Sequence, residues 1–222
     1  MVPTTPAYSP PPDDGLAIRY IDDALLVVDK PAGLLSVPGR GADKQDSLAS
    51  RVQARYPGAR VVHRLDMSTS GLLVLALDAD IQRALGRQFE LRQVDKRYVA
   101  VVAGRVADME RTIDLPLITD WPNRPRQIVD FVRGKPALTR LQVLAYAAAS
   151  DTTRVQLMPE TGRSHQLRVH LQAIGRPILG DDLYAPPARL DQATRLMLHA
   201  AFLAFTHPRS AMRLAVDSPP PF

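Results

Sequence analysis

A polar segment at residues 61–71, VVHRLDMSTSG, carries residue types that could do covalent chemistry. It joins a short apolar run to a strongly apolar one, and a strand that follows a loop is a rigid platform for a side chain. Asp66 could act there as a carboxylate nucleophile, which needs fixed geometry and an ionised state. The same residues also suit a turn in which Asp66, Ser68 and Thr69 bond only to the backbone. The segment alone leaves both interpretations open.

A second polar segment, ETGRSHQLRVH, lies further along the chain. If Ser164 caps a helix here, His165 and Arg168 share a face separate from the apolar stripe, and Arg168 could pair with Asp66 and hold it ionised. A solvated polar face is the alternative. His165 and His170 point about 140° apart on such a helix. With no further Cys or His nearby, the spacing predicts no metal site.

Aromatic residues make up only 5% of the chain, so each is a candidate for packing or for a contact with a partner. Tyr98 follows two cations in KRYVA and could stack on a base, although a core tyrosine fits the same pattern. Trp121, the only tryptophan, lies in DWPNRP with Arg124. Prolines exclude a helix there and favour a stiff loop that presents Trp121 and arginines to a partner. A turn with Trp121 packed inward is the alternative.

The charge balance permits binding to nucleic acid without establishing it. Lys and Arg number 28 against 23 acidic residues, giving a net charge of +5 and a pI near 9.8, and only four of the cations are lysines. Arginine pairs with phosphates and stacks on bases, but the codon usage of a GC-rich genome explains the same skew. The absence of cysteine excludes disulfides, thiolate zinc sites and cysteine nucleophiles. It favours a reducing compartment, so we expect a cytoplasmic protein.

The apolar runs predict the elements that must position these residues. Seven strands are predicted, at residues 24–29, 71–77, 96–102, 139–146, 153–158, 198–206 and 211–216, the first two buried on both faces. Three helices are predicted, one over Ser47–Arg55, one capped by Asp80 and one capped by Ser164 and ended at Gly175. Because strands outnumber helices and do not alternate strictly with them, the fold class is α+β with a mixed or antiparallel sheet.

The ends of the chain bound the predicted domain. Residues 1–14 contain five prolines and little apolar content, which predicts a disordered tail. We expect residues 15–222 to form a single domain. The longest stretch without a charged residue, 196–208, is too short to cross a bilayer, so no membrane association is expected.

The motifs, taken together, resemble those of a known family. HRLDMSTSG, KRYVA, DWPNRP, TGRSHQLRVH and GDDLY, in this order from about Asp23 to Val216, closely resemble the RluA family of RNA pseudouridine synthases. Ser68 departs from the alanine expected there. The resemblance implies the pseudouridine synthase fold, a mixed and largely antiparallel sheet flanked by helices and loops. The DWPNRP loop, the short length and the lack of an S4-type RNA-binding domain resemble the dual-specificity members.

The resemblance also implies roles for individual residues. Asp66 would be the catalytic nucleophile, and Arg168 would pair with it. Tyr98 would stack on the uracil, while Arg64 would enter the RNA where the target base is flipped out. Further RNA contacts are expected from His63, Trp121, Arg124, Arg163 and His165, and a pocket wall from Leu196 and Leu198.

The implied reaction detaches uracil from C1′ of its ribose and rejoins it through C5, without net redox change. We therefore expect no cofactor and no metal. The implied substrates are structured RNAs, namely uridine 32 of tRNA anticodon stem-loops and uridine 746 of a 23S rRNA hairpin, and the implied state is a monomer. Two alternatives are a non-catalytic RNA-binding protein on the same fold and a glycosidase-like hydrolase that uses Asp66 and Glu160 as a carboxylate pair.

Overall fold

A computed structural model of the chain describes residues 8–222. Its strands are β1 (Ile18–Ile21), β2 (Leu25–Lys30), β3 (Arg60–Val61), β4 (Ser70–Ala76), β5 (Asp95–Ala103), β6 (Glu110–Asp114), β7 (Leu117–Thr119), β8 (Gln127–Val129), β9 (Leu138–Ala147), β10 (Thr152–Pro159), β11 (Leu198–Thr206) and β12 (Arg213–Asp217). The helices are α1 (Leu48–Arg55), α2 (Ala79–Glu90), α3 (Gln166–Ala173) and α4 (Pro187–Leu190), with a 3₁₀ turn at Ala42–Lys44.

One large sheet organises the described residues, in the order β1-β2-β4-β11-β5-β10-β9-β6, while β7 and β8 form a separate hairpin. Every strand pair is antiparallel except β4 with β11. The predicted α+β class and mixed, largely antiparallel sheet are therefore confirmed. All seven predicted strands are present with small shifts at their ends. The predictions missed the short strands β1, β3, β6, β7 and β8.

The parallel contact between β4 and β11 is confined to two residue pairs, His199 with Ser70 and Ala200 with Gly71. The Ser70 hydroxyl lies 2.8 Å from His199 Nδ1 and links the two strands through their side chains. Gly71 has φ of 112°, and a Cβ at this position would collide with the backbone of Ala200. Beyond this point the strands separate, and β3 continues beside β4 while β12 continues beside β11. The chain therefore needs glycine where these two strands meet.

The core lies on both faces of the sheet. Alternate residues of β2 and β4 pack on opposite sides, Leu25 and Val74 beneath α2, and Leu26 and Leu73 beneath α1. The burial of these strands on both faces, predicted from their continuous apolar runs, is confirmed. A third cluster packs Leu167 and other α3 residues against β5, β9 and β10.

The helix starts agree with the predictions in one case and differ in two. Ser47 caps α1 in a capping box with Ser50. Helix α2 is capped by Asp78, whose Oδ1 accepts from Ile81 N at 2.8 Å, so the prediction of Asp80 was wrong by two residues. Asp78 and Asp80 both lie at the start of this helix, and Asp78 occupies the position before its first residue, Ala79.

Helix α3 begins differently from the prediction that Ser164 caps it. The residue before the helix is His165, in the left-handed conformation with φ of 53° and no side-chain cap. Instead, Gln166 Oε1 accepts from Arg163 N at 3.0 Å and from the Thr161 hydroxyl at 2.7 Å. The turn is therefore held by the amide side chain of the first helical residue. Gly175, at φ of 73°, follows the end of the helix as expected.

The N-terminal segment is attached to the domain from Tyr8 onward, whereas residues 1–7 lie outside the described part of the chain. The Tyr8 hydroxyl donates to Asp46 O at 3.1 Å and accepts from Leu35 N at 3.0 Å. Arg51 Nη2 donates to Pro11 O at 2.6 Å. These polar contacts join residues 8–12 to α1 and to the segment before it, although no element of secondary structure forms there. In residues 8–222 no helix has the length and apolar character that crossing a bilayer requires.

Candidate active site

Asp66 lies in the loop between β3 and β4 and faces an open basin with a volume of about 110 Å³. Its side chain is 29% exposed. The turn interpretation applies only to the backbone, where Thr69 N donates to Asp66 O at 3.1 Å. The Asp66 carboxylate makes no hydrogen bond to another group in residues 8–222, so it is available to the basin. The basin is lined by, among others, Arg64, Asp66, Tyr98, Arg163, His165, Arg168 and Leu198.

Arg168 extends from α3 toward Asp66, and its Nη1 lies 3.7 Å from Asp66 Oδ2. Its closest partners are nevertheless two other carboxylates. Nε and Nη2 donate to both oxygens of Asp181 at 2.9 and 2.7 Å, and Nη2 also donates to Asp182 at 3.0 Å. Burial opposes the charge, but Asp181, Asp66 and Asp182 raise the pKa of Arg168 above its usual range. The ion pair expected between Arg168 and Asp66 is therefore the looser part of a network that Asp181 anchors.

Of the polar residues of α3, Gln166, Arg168 and His170 are buried and only Gln172 is exposed, so the alternative of a solvated face at Arg168 is wrong. Gln166 and Arg168 are 4% and 3% exposed, and His170 is fully buried. His170 Nε2 lies 3.0 Å from Leu115 O, and Nδ1 lies 3.0 Å from the Thr139 hydroxyl. These partners use both ring nitrogens of His170. Among residues 8–222 no group of three or more His, Cys, Asp and Glu side chains is arranged to hold a metal ion.

The floor and wall of the basin are Tyr98 on β5 and Leu198 on β11. Burial raises the pKa of Tyr98 well above its usual range, and the charge of Asp66 adds to the shift. The phenol therefore keeps its proton at neutral pH. Leu198 lines the basin, whereas Leu196 packs into the core beneath α3, so the expectation of a pocket wall at Leu196 was wrong. Leu196 lies just before β11 and packs with Leu167 and Leu171 of α3, whereas Leu198 both joins this cluster and reaches the basin.

Lys30 supports the loop that carries Asp66, a role that was not predicted from the sequence. Its side chain is fully buried, and Nζ donates to Pro31 O at 2.8 Å, Leu34 O at 2.7 Å and Met67 O at 3.0 Å. Burial lowers the pKa of Lys30 to about 7, and the charge of Asp66 opposes that shift. An ammonium group has three donors, and three carbonyls accept them here. Lys30 thus ties the residue after Asp66 to the end of β2.

His165 lies near Oδ1 of Asp66, whereas Arg168 lies near Oδ2. His165 Nε2 lies 4.0 Å from Asp66 Oδ1, and its Nδ1 lies 2.7 Å from the Tyr184 hydroxyl. Tyr184 and Asp181 both come from GDDLY, so the motif that supplies the anchor of Arg168 also supplies the partner of His165. GDDLY was one of the motifs that carried the family resemblance, but no role was predicted for its residues.

The outer residues predicted to bind RNA have different environments. Arg64 and Arg163 are exposed at the basin. Trp121 is 65% exposed, and the Arg124 guanidinium lies 4.6 Å from its ring, so the alternative of an inward-packed tryptophan is wrong. Both belong to the loop that joins β7 to β8.

His63 is the predicted contact that is only partly exposed, with its ring packed against the protein. Its Nε2 accepts from Val74 N at 3.1 Å, and its ring stacks on Phe89 at 4.4 Å. Burial lowers the pKa of His63 to about 3, so the ring is neutral at physiological pH. Val74 of β4 thus occupies Nε2 and Phe89 of α2 covers one face of the ring, and an RNA contact at His63 stays a prediction.

The fold and the site together define a class of protein. A mixed sheet that holds an open carboxylate beside a buried arginine and a tyrosine is the arrangement expected of a pseudouridine synthase. The RNA pseudouridylate synthase family model matches residues 24–173. The chain belongs to the RluA family of RNA pseudouridine synthases, and it is an isomerase that converts uridine to pseudouridine in RNA.

Individual relatives support this assignment. The chain is 52% identical over 215 residues to the dual-specificity RNA pseudouridine synthase RluA of Escherichia coli K12, covering 97% of this chain and 98% of that protein. It is 53% identical over 206 residues to RluA of Vibrio parahaemolyticus, covering 91% and 82%. The structure of human RNA pseudouridylate synthase domain containing 1 superposes with a TM-score of 0.80 at 34% identity, covering 96% of this chain and 87% of that one.

The two alternative functions receive no support from these observations. The matched relatives are named as synthases, which disfavours a purely RNA-binding protein. Glu160 bonds to Arg140 Nε at 2.6 Å and does not line the basin that contains Asp66. The carboxylate pair required by the hydrolase interpretation is therefore not formed.

Proposed function

We propose that Asp66 is the nucleophile of the isomerisation. In this reaction the bond from C1′ to N1 of uracil breaks, the base turns, and a bond from C1′ to C5 forms. The proton on C5 is lost, and N1 gains one, so no redox partner is needed. The observation that carries the proposal is an open carboxylate whose nearest side-chain cation is a buried arginine at 3.7 Å. A nucleophile needs such fixed geometry and an available lone pair.

The groups around Asp66 suit a flipped uracil. Tyr98 offers a π face, and base stacking of this kind contributes about 1–3 kcal/mol. Leu198 closes the wall, and Arg168 places positive charge beside Asp66. Extrusion of a stacked base costs a few kcal/mol. The exposed Arg64 at the rim of the basin is suited to offset that cost by filling the space the base leaves.

The outer contacts we propose come from Arg163 and His165 at the basin and from Trp121 and Arg124 on the β7–β8 loop. Trp121 is exposed beside the Arg124 guanidinium, so the pair offers an aromatic face and a phosphate partner on one loop. Because arginine contacts to phosphate release counterions, we expect the affinity for RNA to fall steeply with salt.

The substrates we propose are tRNA anticodon stem-loops modified at uridine 32 and the 23S rRNA hairpin modified at uridine 746. The support is the resemblance at the motifs and the similarity to relatives named as dual-specificity synthases. We further propose that residues 15–222 act as one catalytic domain, in a cytoplasmic monomer that needs no cofactor or metal.

Tritium release from RNA that carries 5-³H-uridine tests the role of Asp66. We expect the wild-type chain to release tritium without releasing uracil, and Asp66→Asn to abolish the release because an amide is a poor nucleophile. Asp217→Asn is the matched control, since Asp217 is exposed on β12 away from the basin. Full activity of Asp66→Asn, or release of free uracil by the wild type, would contradict the proposal.

A further inference from the structure

A path of polar contacts behind the basin begins at a backbone amide, continues through two hydrogen bonds to His165 and ends near Asp66. Gln127 N donates to the Tyr184 hydroxyl at 2.8 Å, and this hydroxyl lies 2.7 Å from His165 Nδ1. The other ring nitrogen of His165 lies 4.0 Å from Asp66 Oδ1. Tyr184 is 6% exposed, so water has little access to the middle of the path.

The direction of the hydrogen bonds follows from counting protons. The amide of Gln127 can only donate, so it occupies one lone pair of the Tyr184 oxygen. Burial raises the pKa of Tyr184 to about 12, so the phenol keeps its proton at neutral pH. Among residues 8–222 the only acceptor within hydrogen-bond distance of this hydroxyl is His165 Nδ1. Tyr184 therefore donates to Nδ1, and the neutral ring carries its proton on Nε2.

The opposite tautomer costs free energy at two places. A proton on Nδ1 would donate to Tyr184 and leave the buried phenol proton without an acceptor, which costs about 1–3 kcal/mol. It would also turn the unprotonated Nε2 toward the Asp66 carboxylate, where two acceptors face each other. Burial lowers the pKa of His165, while Asp66 opposes that shift. The neutral ring is thus the form whose tautomer matters near pH 7.5.

We propose that Tyr184 is a positioning residue that fixes His165 as the Nε2–H tautomer, so that this N–H faces Asp66 Oδ1 and orients the nucleophile. The inference rests on the proposed role of Asp66. The two carboxylate oxygens then face different donors, Oδ1 facing His165 at 4.0 Å and Oδ2 facing Arg168 at 3.7 Å. Catalytic contacts in a site without substrate are often long and shorten when it binds. Two donors on two oxygens fix the plane of the carboxylate, which one donor alone leaves free to rotate.

The first test is the tautomer itself, measured by NMR on the full chain labelled with ¹⁵N-histidine at pH 7.5 without RNA. The His165 signals are identified by their loss in His165→Leu. We expect a protonated Nε2 and an unprotonated Nδ1. A protonated Nδ1 with an unprotonated Nε2 overturns the proposal, and this result does not depend on catalysis or on the folding of any Tyr184 variant.

The second test is kinetic and uses tritium release by Tyr184→Phe, with Tyr20→Phe as the matched control. The Tyr20 hydroxyl donates to Asp22 at 2.7 Å on β1, so the control also deletes a hydrogen-bonded phenol but lies outside the basin. We expect Tyr184→Phe to lower kcat about tenfold with KM nearly unchanged, as loss of one oriented donor in the transition state predicts. Tyr20→Phe should keep the wild-type kcat. Equal kcat in Tyr184→Phe and wild type overturns the proposal.

A double-mutant cycle separates positioning from general loosening of the structure. Because Tyr184 acts through His165, adding Tyr184→Phe to His165→Leu should lower kcat no further. A second tenfold loss in the double variant overturns the proposed path. The proposed function fails separately, if Asp66→Asn keeps its activity whatever the tautomer of His165.

Discussion

The pairing of Arg168 with two neighbouring carboxylates gives a direct test of how burial controls the value of an ion pair. The side chain of Asp181 is 1% exposed and that of Asp182 is 64% exposed, and both contact Nη2 of Arg168, at 2.7 and 3.0 Å. The two aspartates are adjacent in sequence and nearly equal in distance. They differ in their access to water and in the number of their hydrogen bonds, since Asp181 also accepts from Nε of Arg168 and from two backbone amides.

The expected magnitudes follow from those differences. Asp181→Ala leaves the Arg168 guanidinium buried and without its bidentate partner, and breaking one side of a buried pair costs about 3–5 kcal/mol. Asp181 Oδ1 also accepts from the amides of Leu183 and Tyr184, both at 3.1 Å, which places the loss at the top of that range. Asp182→Ala removes an exposed partner and should cost about 0–1 kcal/mol.

Urea unfolding followed by circular dichroism measures both losses. With a slope of about 2–3 kcal/mol per molar urea, Asp181→Ala should move the midpoint down by roughly 1.7–2.5 M and Asp182→Ala by less than roughly 0.5 M. Tritium release should fall with Asp181→Ala, because Arg168 then loses the contact that holds it beside Asp66. If Asp182→Ala costs as much stability as Asp181→Ala, the argument from burial is refuted.

Three further outcomes follow from single residues. Gly71→Ala should destabilise the chain by about 2–4 kcal/mol, because the added Cβ would collide with Ala200 and the residue has a positive φ. Gly86→Ala should instead stabilise the chain by about 0.5–1 kcal/mol, because a Cβ on this residue of α2 meets no other atom. Urea midpoints that move equally for the two glycines would contradict this. Lys30→Met should cost about 3–5 kcal/mol, since three carbonyls lose their donor, and a midpoint unchanged in urea would exclude that role. Burial raises the pKa of Asp22, but the hydrogen bonds to its carboxylate outweigh burial and lower the pKa overall. The stability that Asp22 contributes is therefore complete above about pH 4 and is lost as the pH falls through the pKa that Asp22 has in the folded protein. Asp22→Asn should therefore flatten the fall of Tm below about pH 4, and an equally steep fall in wild type and variant would argue against it.

The strands at the centre of the sheet could be predicted because the local pattern and the tertiary environment agree. The apolar runs of β2 and β4 are buried on both faces, as their composition indicates. The strands that were missed are short and lie largely at the margins: β3 has two residues, and β7 and β8 form a hairpin outside the main sheet. Such strands are specified by their pairing partners, which local sequence does not reveal.

The candidate site, like the sheet, could be predicted only in part. The family resemblance predicted site roles for Asp66, Tyr98 and Arg168, and the structure places all three at one basin. The polar positions of α3 suggested a solvated face, but burial there depends on partners from elsewhere in the chain, above all Asp181. Residues 168 and 181 are separated by the end of α3 and a loop without periodicity, so no spacing rule could connect them. His63 lies inside the HRLD motif, but its ring contacts Val74 and Phe89 and does not line the basin, which the motif alone does not reveal.

The position of β11 in the sheet has a consequence for how the chain folds during its synthesis on the ribosome. Strand β11 comes late in the chain but lies between β4 and β5 in the sheet. The half-sheets β1-β2-β4 and β5-β10-β9-β6 are therefore not joined by strand pairing until residues 198–206 are synthesised. Each half then exposes an unpaired edge, which is prone to wrong pairing. A nascent chain stopped before residue 198 should therefore depend on chaperones and carry no activity, and the enzyme should become competent in one late step of translation.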